Sequence, residues 1–177
     1  MNEIKLSVKE RLQLSFQLKI LEGLYPDEAA DYRNQRIAIE NGYTYNYQDM
    51  FSIIQEEMPE NKCREVLKVL NMYRGIIFSY NKLENNNSIK KIKKEQIRFP
   101  GFDGQDEAAQ LLYAEYYLND LNRFQEISSL SNNDYDSHEE MMPTYLKMLE
   151  KWEAINYSSR YTMNESEIME LLRFYVM

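Results

Sequence analysis

The chain is poor in the residues that most often carry out catalysis. It has one histidine, His138, and one cysteine, Cys63, among 177 residues. A Ser-His-Asp triad needs a histidine beside its nucleophile, a structural zinc site needs four Cys or His ligands, and a dithiol redox site needs two cysteines. The sequence therefore predicts no catalytic residues, no metal site and no cofactor. It favours a non-enzymatic protein.

A basic run is the strongest candidate for a binding surface. Five cations lie within nine residues, opposed only by Glu95: Lys90, Lys91, Lys93, Lys94 and Arg98. Such side chains can neutralise phosphates, and Phe99 and Phe102 nearby could stack on exposed bases. The run could also be a solvated loop, or pair with an acidic face of a second copy. A net charge of −8 disfavours general binding to a polyanion.

The segment His138–Glu140 places an imidazole next to two carboxylates. A metal ion would need further ligands, such as Asp134 or Asp136, and acidic loops without a metal are more common. Carboxylates alone could also perform acid/base chemistry, which leaves an enzyme as a third hypothesis. Nothing in the sequence indicates that the carboxylate pairs are buried, so solvated helix faces are the default interpretation.

Two other features have simple structural interpretations. Gly101 to Gly104 precedes a predicted helix, whose free N–H groups could hold an anion. No Lys-Ser/Thr follows, and Asp103 would cap the helix and repel an anion, so a structural turn is favoured. Cys63 stands near a helix start, where a thiol pKa can fall, but it shares an apolar row with Leu67 and Leu70 and is assigned to the core.

The chemistry-bearing residues are set among long helical patterns. Ser7 and Glu10 form a capping box before a helix that Pro26 ends. One apolar row of this helix contains Leu14, Leu18, Leu21 and Tyr25, and a second contains Leu12, Phe16 and Ile20. Together the rows predict a broad buried stripe. Further helices are predicted at 27–41, 47–57, 60–84, 105–127, 139–156 and from 164 onward.

The helix at 60–84 is apolar around most of its circumference, which is typical of a central helix. Gly75 within it indicates close packing against a neighbour. Residues 85–104 form the one long loop, with a short edge strand possible at 97–99. These patterns predict an all-α fold: a single domain, residues 1–177, with about six or seven helices around the central one.

The bulk composition adds expectations about environment and partners. No run of about 18 apolar residues is present, and the first residues lack the apolar region of a signal peptide, so we expect a cytoplasmic protein without a membrane span. The 15 tyrosines exceed ordinary usage and suit either core edges or interfaces. They lead us to expect a homodimer or larger homo-oligomer, with a protein partner as a further option.

Five segments, taken in their order along the chain, resemble the YfbU family of bacterial proteins. The resemblance rests on YRNQRIAIENGY (32–43), CREVLKVLNMYRGIIFSYNKL (63–83), FPGFDG (99–104), MPTYLKMLEKWEAI (142–155) and NESEIMELL (164–172). It implies an all-helical fold with no established activity. Some members look fused to a ribbon-helix-helix segment that binds DNA, which suggests transcription regulation. The resemblance supplies no catalytic residues.

Three functional hypotheses follow from these observations, of which the enzyme that uses carboxylates alone is the last. The first is a non-enzymatic regulatory or interaction module that associates with itself. The second is a regulator that contacts DNA or RNA through residues 90–98.

Overall fold

The protein is described by a computed structural model that covers residues 4–131 and 135–175. Within these residues it contains eight α-helices and no β-strand, so the prediction of an all-α fold is confirmed. The helices are α1 (Val8–Leu24), α2 (Ala29–Asn41), α3 (Tyr47–Phe51), α4 (Glu60–Asn85), α5 (Ala108–Glu115), α6 (Gln125–Ser128), α7 (Met142–Ala154) and α8 (Glu165–Leu172). None of the helices in the described ranges has both the length and the apolar character needed to cross a membrane.

The chain divides into two compact units, Met1–Glu57 and Met58–Met177. The proposal that all 177 residues form a single domain stays a prediction. The first unit contains α1 to α3, and its local signals behave as expected. Ser7 and Glu10 form the predicted capping box at the start of α1. Gly42 ends α2 in the left-handed conformation, with a φ of 71°.

The second unit is built around α4, which agrees with the helix predicted at 60–84. Ten residues of α4 are buried, including Val69, Tyr73 and Ile76. Gly75 permits a close approach, because a Cβ there would lie 2.6 Å from the carbonyl oxygen of Arg160. The predicted reason for this glycine, close packing, is therefore confirmed.

The helix predicted at 105–127 is wrong in its extent. α5 begins only at Ala108 and gives way at Tyr116–Asp120 to a π-helical turn. The chain then reverses through Asn122 and Phe124, whose φ angles of 48° and 54° lie in the left-handed region. Left-handed residues end a helix, so of the remaining apolar residues of the pattern only Ile127 is helical, in the separate short helix α6.

The loop at 85–104 contains no strand in the described structure, so the edge strand considered at 97–99 is wrong. A 3₁₀ turn occupies Lys94–Ile97 instead. The backbone pairs once, where Phe102 forms an isolated parallel bridge with Asp136. The loop packs through its apolar residues, since Ile92, Ile97 and Phe99 are all buried. Burial of these side chains holds the loop against the core of the second unit.

Buried polar groups fix the last two helices. Glu107 is 2% exposed, and its carboxylate accepts N–H groups at the start of α7, from Met141 at 3.0 Å and Met142 at 2.6 Å. Asn164 and Glu167 form the predicted capping box of α8. The hydroxyl of Ser79 on α4 accepts the N–H of Met163 at 2.9 Å, which ties the approach to α8 to the central helix.

Candidate interaction surfaces

The basic run has a fixed backbone and outward side chains. One oxygen of Glu165, at the start of α8, accepts three consecutive backbone N–H groups: Lys90 at 2.8 Å, Lys91 at 2.6 Å and Ile92 at 3.2 Å. These hydrogen bonds hold the pKa of Glu165 below its ordinary value, the one from Lys91 first, and the charge of Lys91 adds to the effect. Buried Ile92 secures the same segment from the other side.

The side chains of the basic run remain available for contacts. Lys90, Lys91, Lys93 and Lys94 are exposed and Arg98 is half-buried. In the ranges that the structure covers, none of the five forms an ion pair. The loop thus presents four ammonium groups from a backbone that is already ordered.

The aromatic residues next to the basic run cannot stack on bases, so this part of the nucleic-acid hypothesis is wrong. Phe99 and Phe102 are fully buried. Phe99 contacts Tyr73 edge-on with ring centroids 5.1 Å apart and stacks on Tyr145 at 6.0 Å. Burial raises the pKa of the Tyr145 phenol, whose hydroxyl donates to the carbonyl of Gly101 at 2.7 Å. The apolar residues of this segment serve the core.

Two of the carboxylates near the sites considered for anion or metal binding accept hydrogen bonds from backbone N–H groups. One oxygen of Asp103 accepts the N–H groups of Gln105 at 2.8 Å and Asp106 at 2.6 Å, which agrees with a structural turn. Asp136 accepts the N–H groups of His138 at 3.0 Å and Gly104 at 3.1 Å. These bonds lower its pKa, the one from His138 most.

No group of three metal-ligating side chains occurs in the described ranges, and Asp134 lies outside them. His138 itself is exposed, as are Glu139 and Glu140. Cys63 is half-buried, and its thiol lies 3.5 Å from the carbonyl oxygen of Met58, to which it donates. The assignment of Cys63 to the core is therefore wrong, because the residue lies at the edge of the buried residues of the second unit.

The largest departure from expectation is the outer face of α1. Five apolar side chains at intervals of four residues lie on the surface: Val8 (79% exposed), Leu12 (55%), Phe16 (59%), Ile20 (60%) and Leu24 (65%). We call these five residues the α1 row. Leu12, Phe16 and Ile20 were expected to be buried, and that prediction is wrong. In the first unit α1 packs along α2 by its opposite face, and one neighbouring helix covers only one face.

The contact between α1 and α2 contains several polar groups. Arg11 donates to the carbonyls of Ile39 at 2.8 Å and Glu40 at 2.7 Å, and Ser15 donates to the carboxylate of Glu40 at 2.7 Å. Glu22 accepts a hydrogen bond from Arg33 at 2.7 Å, which is the main cause of its lowered pKa. These polar groups lie beside the apolar cluster of Leu18, Ile39 and Tyr47, and the α1 row lies outside the contact.

The fold places the protein in the all-helical class, and comparison with known proteins identifies its family. The family model described as the YfbU domain matches residues 4–173, so the chain belongs to the YfbU family. It is also similar to UPF0304 protein MJECS11 of Methanocaldococcus jannaschii. The two are 30% identical over 169 residues, which cover 94% of this chain and 98% of the relative. The family assignment expected from the ordered segments is thereby confirmed.

Sequence reasoning missed the α1 row as a surface because the row was treated as part of a wider stripe. The signal was present: the interval of four continues through Val8 and Leu24, beyond the residues that the stripe required. The opposite face of α1 also contains Arg11, Ser15 and Glu22, which are unusual in an apolar interior.

Proposed function

We propose that the protein is a non-enzymatic interaction module that associates with itself through the α1 row. The observation that carries the proposal is the exposure of all five side chains of the row along one helix. Exposed apolar patches rimmed by polar residues are typical of protein–protein contacts.

A second copy of the chain fits the α1 row because the row is symmetric about its centre. Leu12 and Ile20 lie at equal distances on either side of Phe16, and so do Val8 and Leu24. An isologous two-fold contact joins the same patch on both copies. With the axis at Phe16, Leu12 of one copy would meet Ile20 of the other, and Ile20 would meet Leu12. The row is also an i±4 ridge, the ridge type that interdigitates in the commonest helix crossing, at about −50°.

The centre of the α1 row supplies part of the area of such a contact. Leu12, Phe16 and Ile20 lie within about 80° of one another around the helix axis and offer roughly 300 Å² per copy. Two copies thus bury about 600 Å² there, and the rest of the roughly 1,000 Å² of a specific interface must come from surface beside the row. Ile53 and Ile54 in the same unit are exposed as well and add to the apolar surface. We expect a dimer at micromolar concentrations.

The first unit has a physical reason to associate. Its cluster of fully buried apolar residues consists of Leu18, Ile39 and Tyr47. Small units bury a low fraction of their surface and gain little stability from it. Covering the α1 row would add a second apolar interior to a unit whose own apolar cluster is small.

Replacing Phe16 with glutamate tests the proposed dimer. Because Phe16 lies at the centre of the row, two carboxylates would meet at the two-fold axis, and we expect the dissociation constant to rise at least 100-fold, on the order of 3 kcal/mol. Sedimentation equilibrium should give twice the chain mass of 21.3 kDa for the unaltered protein and the single-chain mass for the variant. Circular dichroism should be unchanged, because Phe16 is exposed.

Gln17→Glu is the matched control for this experiment. It introduces the same charge one residue along the same helix, at an exposed position outside the row, and should remain dimeric. A single-chain mass for the unaltered protein at these concentrations would overturn the proposal. So would a Phe16→Glu protein that stays dimeric.

A second candidate function is contact with DNA or RNA through Lys90–Arg98. The observation in its favour is the order of the loop: Glu165 fixes the backbone, so little backbone entropy would be lost when the lysines bind phosphates. The burial of Phe99 and Phe102 removes base stacking, so any binding would depend on phosphate contacts and be insensitive to sequence.

Replacing Lys90, Lys91, Lys93 and Lys94 together with alanine tests this candidate. If the loop binds nucleic acid, affinity for a short DNA duplex at low salt should fall by more than tenfold and the salt dependence should weaken. Fluorescence anisotropy at two salt concentrations measures both effects. Four alanines at Lys5, Lys9, Lys147 and Lys151 give a control with the same net charge. Equal affinity in the two variants would exclude the loop as the contact.

A further inference from the structure

An open cleft lies beside α4 in the second unit, on the side where the chain leaves the π-helical turn. Its volume is about 530 Å³, within the usual range of roughly 300–1,000 Å³ for small-molecule sites. Six polar residues contribute to its walls: Asn71, Arg74, Asn122, Arg123, Gln125 and Glu126. The self-association proposed above does not use this cleft.

Arg74 is held in the cleft as a flat, oriented group. Its Nε donates to Glu126 at 2.5 Å, and its guanidinium carbon lies 4.0 Å from the centre of the Phe124 ring. Its two terminal nitrogens have no hydrogen-bond partner among the residues the structure describes. A guanidinium fixed on one edge and one face presents its remaining N–H groups as a planar fork, the geometry that matches a carboxylate or a phosphate.

Arg123 supplies a second positive charge to the cleft. Its guanidinium carbon lies 5.9 Å from the centre of the Tyr117 ring, and it has no ion pair in the described part of the chain. Glu126 is the one carboxylate among the six wall residues, and it is paired with Arg74. The wall residues therefore carry an excess of one positive charge, in a chain whose net charge is −8.

The backbone of this wall is strained in a way that positions Arg123. Asn122 and Phe124 on either side have φ angles of 48° and 54°, and the N–H of Arg123 bonds back to the carbonyl of Tyr117 at 2.9 Å. A positive φ is unusual for a residue as bulky as phenylalanine, and such strain together with π-helical turns is frequent at functional sites. Phe124 itself is buried and forms the platform under Arg74.

We propose that this cleft binds a small organic molecule through an oxyanion, a carboxylate or a phosphate group. The fork of Arg74 and the guanidinium of Arg123 hold the anionic group. The side-chain amides of Asn71, Asn122 and Gln125 supply hydrogen bonds to the polar body of the ligand. A cationic ligand is disfavoured, because the carboxylate of Glu126 is already paired with Arg74.

Nuclear magnetic resonance of the full-length protein, uniformly labelled with ¹⁵N, tests the proposal through the arginine Nε–Hε signals. Inorganic phosphate and succinate serve as separate probes at constant ionic strength, titrated into the millimolar range. We expect saturable shifts of the Arg74 and Arg123 signals. Tighter binding of phosphate would assign the site to phosphorylated ligands, and tighter binding of succinate to carboxylates.

Arg123→Gln should weaken the binding at least tenfold without affecting the fold, because Arg123 is exposed. Arg74→Lys keeps the charge but removes the planar fork, and should also weaken it. Arg173→Gln is the matched control, since Arg173 also lies over an aromatic ring, Phe174 at 4.9 Å, and near a carboxylate, Glu170 at 3.7 Å. Shifts that never saturate, or that Arg173 shows equally, would overturn the proposal.

Discussion

Replacing Gly101 with alanine is expected to lower the free energy of unfolding by about 3–5 kcal/mol. Two causes act together. The φ of Gly101 is 101°, a conformation that residues with a Cβ rarely adopt. A Cβ at this position would also overlap the carbonyl carbon and oxygen of Tyr135.

Neither cause can be relieved by a local side-chain movement. The carbonyl of Tyr135 accepts the N–H of Phe102 at 2.9 Å, and the carbonyl of Gly101 accepts the hydroxyl of Tyr145 at 2.7 Å. Moving either backbone segment would break these bonds and displace the buried ring of Phe102. The effect should therefore appear as lost stability of the aromatic core.

Urea denaturation followed by the fluorescence of Trp152, the single tryptophan, measures this loss. Gly23→Ala is the matched control, because no atom lies within 4 Å of the added Cβ and the residue is helical. Alanine favours a helix more than glycine does, so we expect Gly23→Ala to raise the free energy of unfolding by about 0.5–1 kcal/mol, with unfolding followed by circular dichroism. An unchanged urea midpoint for Gly101→Ala would show that the turn rearranges at little cost.

The signals that the sequence reveals most clearly are those contained within a few residues. Ser7 with Glu10, and Asn164 with Glu167, each satisfy N–H groups three positions apart, so the capping boxes could be recognised without knowing the fold. Gly42 is similar, because only its own φ and the preceding helix matter. The spacing of apolar residues likewise located α4 to within one residue at its end.

The spacing of apolar residues does not predict burial where burial depends on which other element packs against them. The row Leu12, Phe16 and Ile20 shares one face of α1, as predicted, but spacing does not tell whether another element covers that face. Phe99 and Phe102 follow a basic run and were placed at the surface with it. Their burial depends on contacts with Tyr73 and Tyr145, which lie far away in the sequence.

The cleft at Arg74 shows the same limit more sharply. Arg74 and Glu126 are 52 positions apart, and their pairing depends on the reversal of the chain at Asn122 and Phe124. Asparagine adopts a positive φ more often than other residues with a Cβ, but phenylalanine rarely does, so Phe124 gave no sign of the reversal. A regular helical pattern over 105–127 hid the reversal, because Leu118, Phe124 and Ile127 are all apolar and buried.

Replacing Glu107 with alanine should lower the free energy of unfolding by about 3–5 kcal/mol, because it leaves several buried N–H groups without an acceptor. One carboxylate oxygen accepts Met142 N–H at 2.6 Å, and the other accepts Met141 at 3.0 Å and Asp103 at 3.1 Å. Two of these donors belong to the start of α7, where no other group in the described ranges replaces the carboxylate.

Comparison with Glu107→Gln separates the loss of acceptors from the loss of volume. Glutamine keeps the shape and one accepting oxygen, but its amide nitrogen would face N–H donors. We therefore expect Glu107→Gln to lower the free energy of unfolding by about 2 kcal/mol, which is less than the loss expected for Glu107→Ala. Asp106→Ala is the control, since that neighbouring carboxylate is exposed. Urea denaturation ranks the variants, and hydrogen exchange should show faster opening at the start of α7 in Glu107→Ala. Equal stability of Glu107→Ala and Asp106→Ala would mean that water replaces the carboxylate at α7.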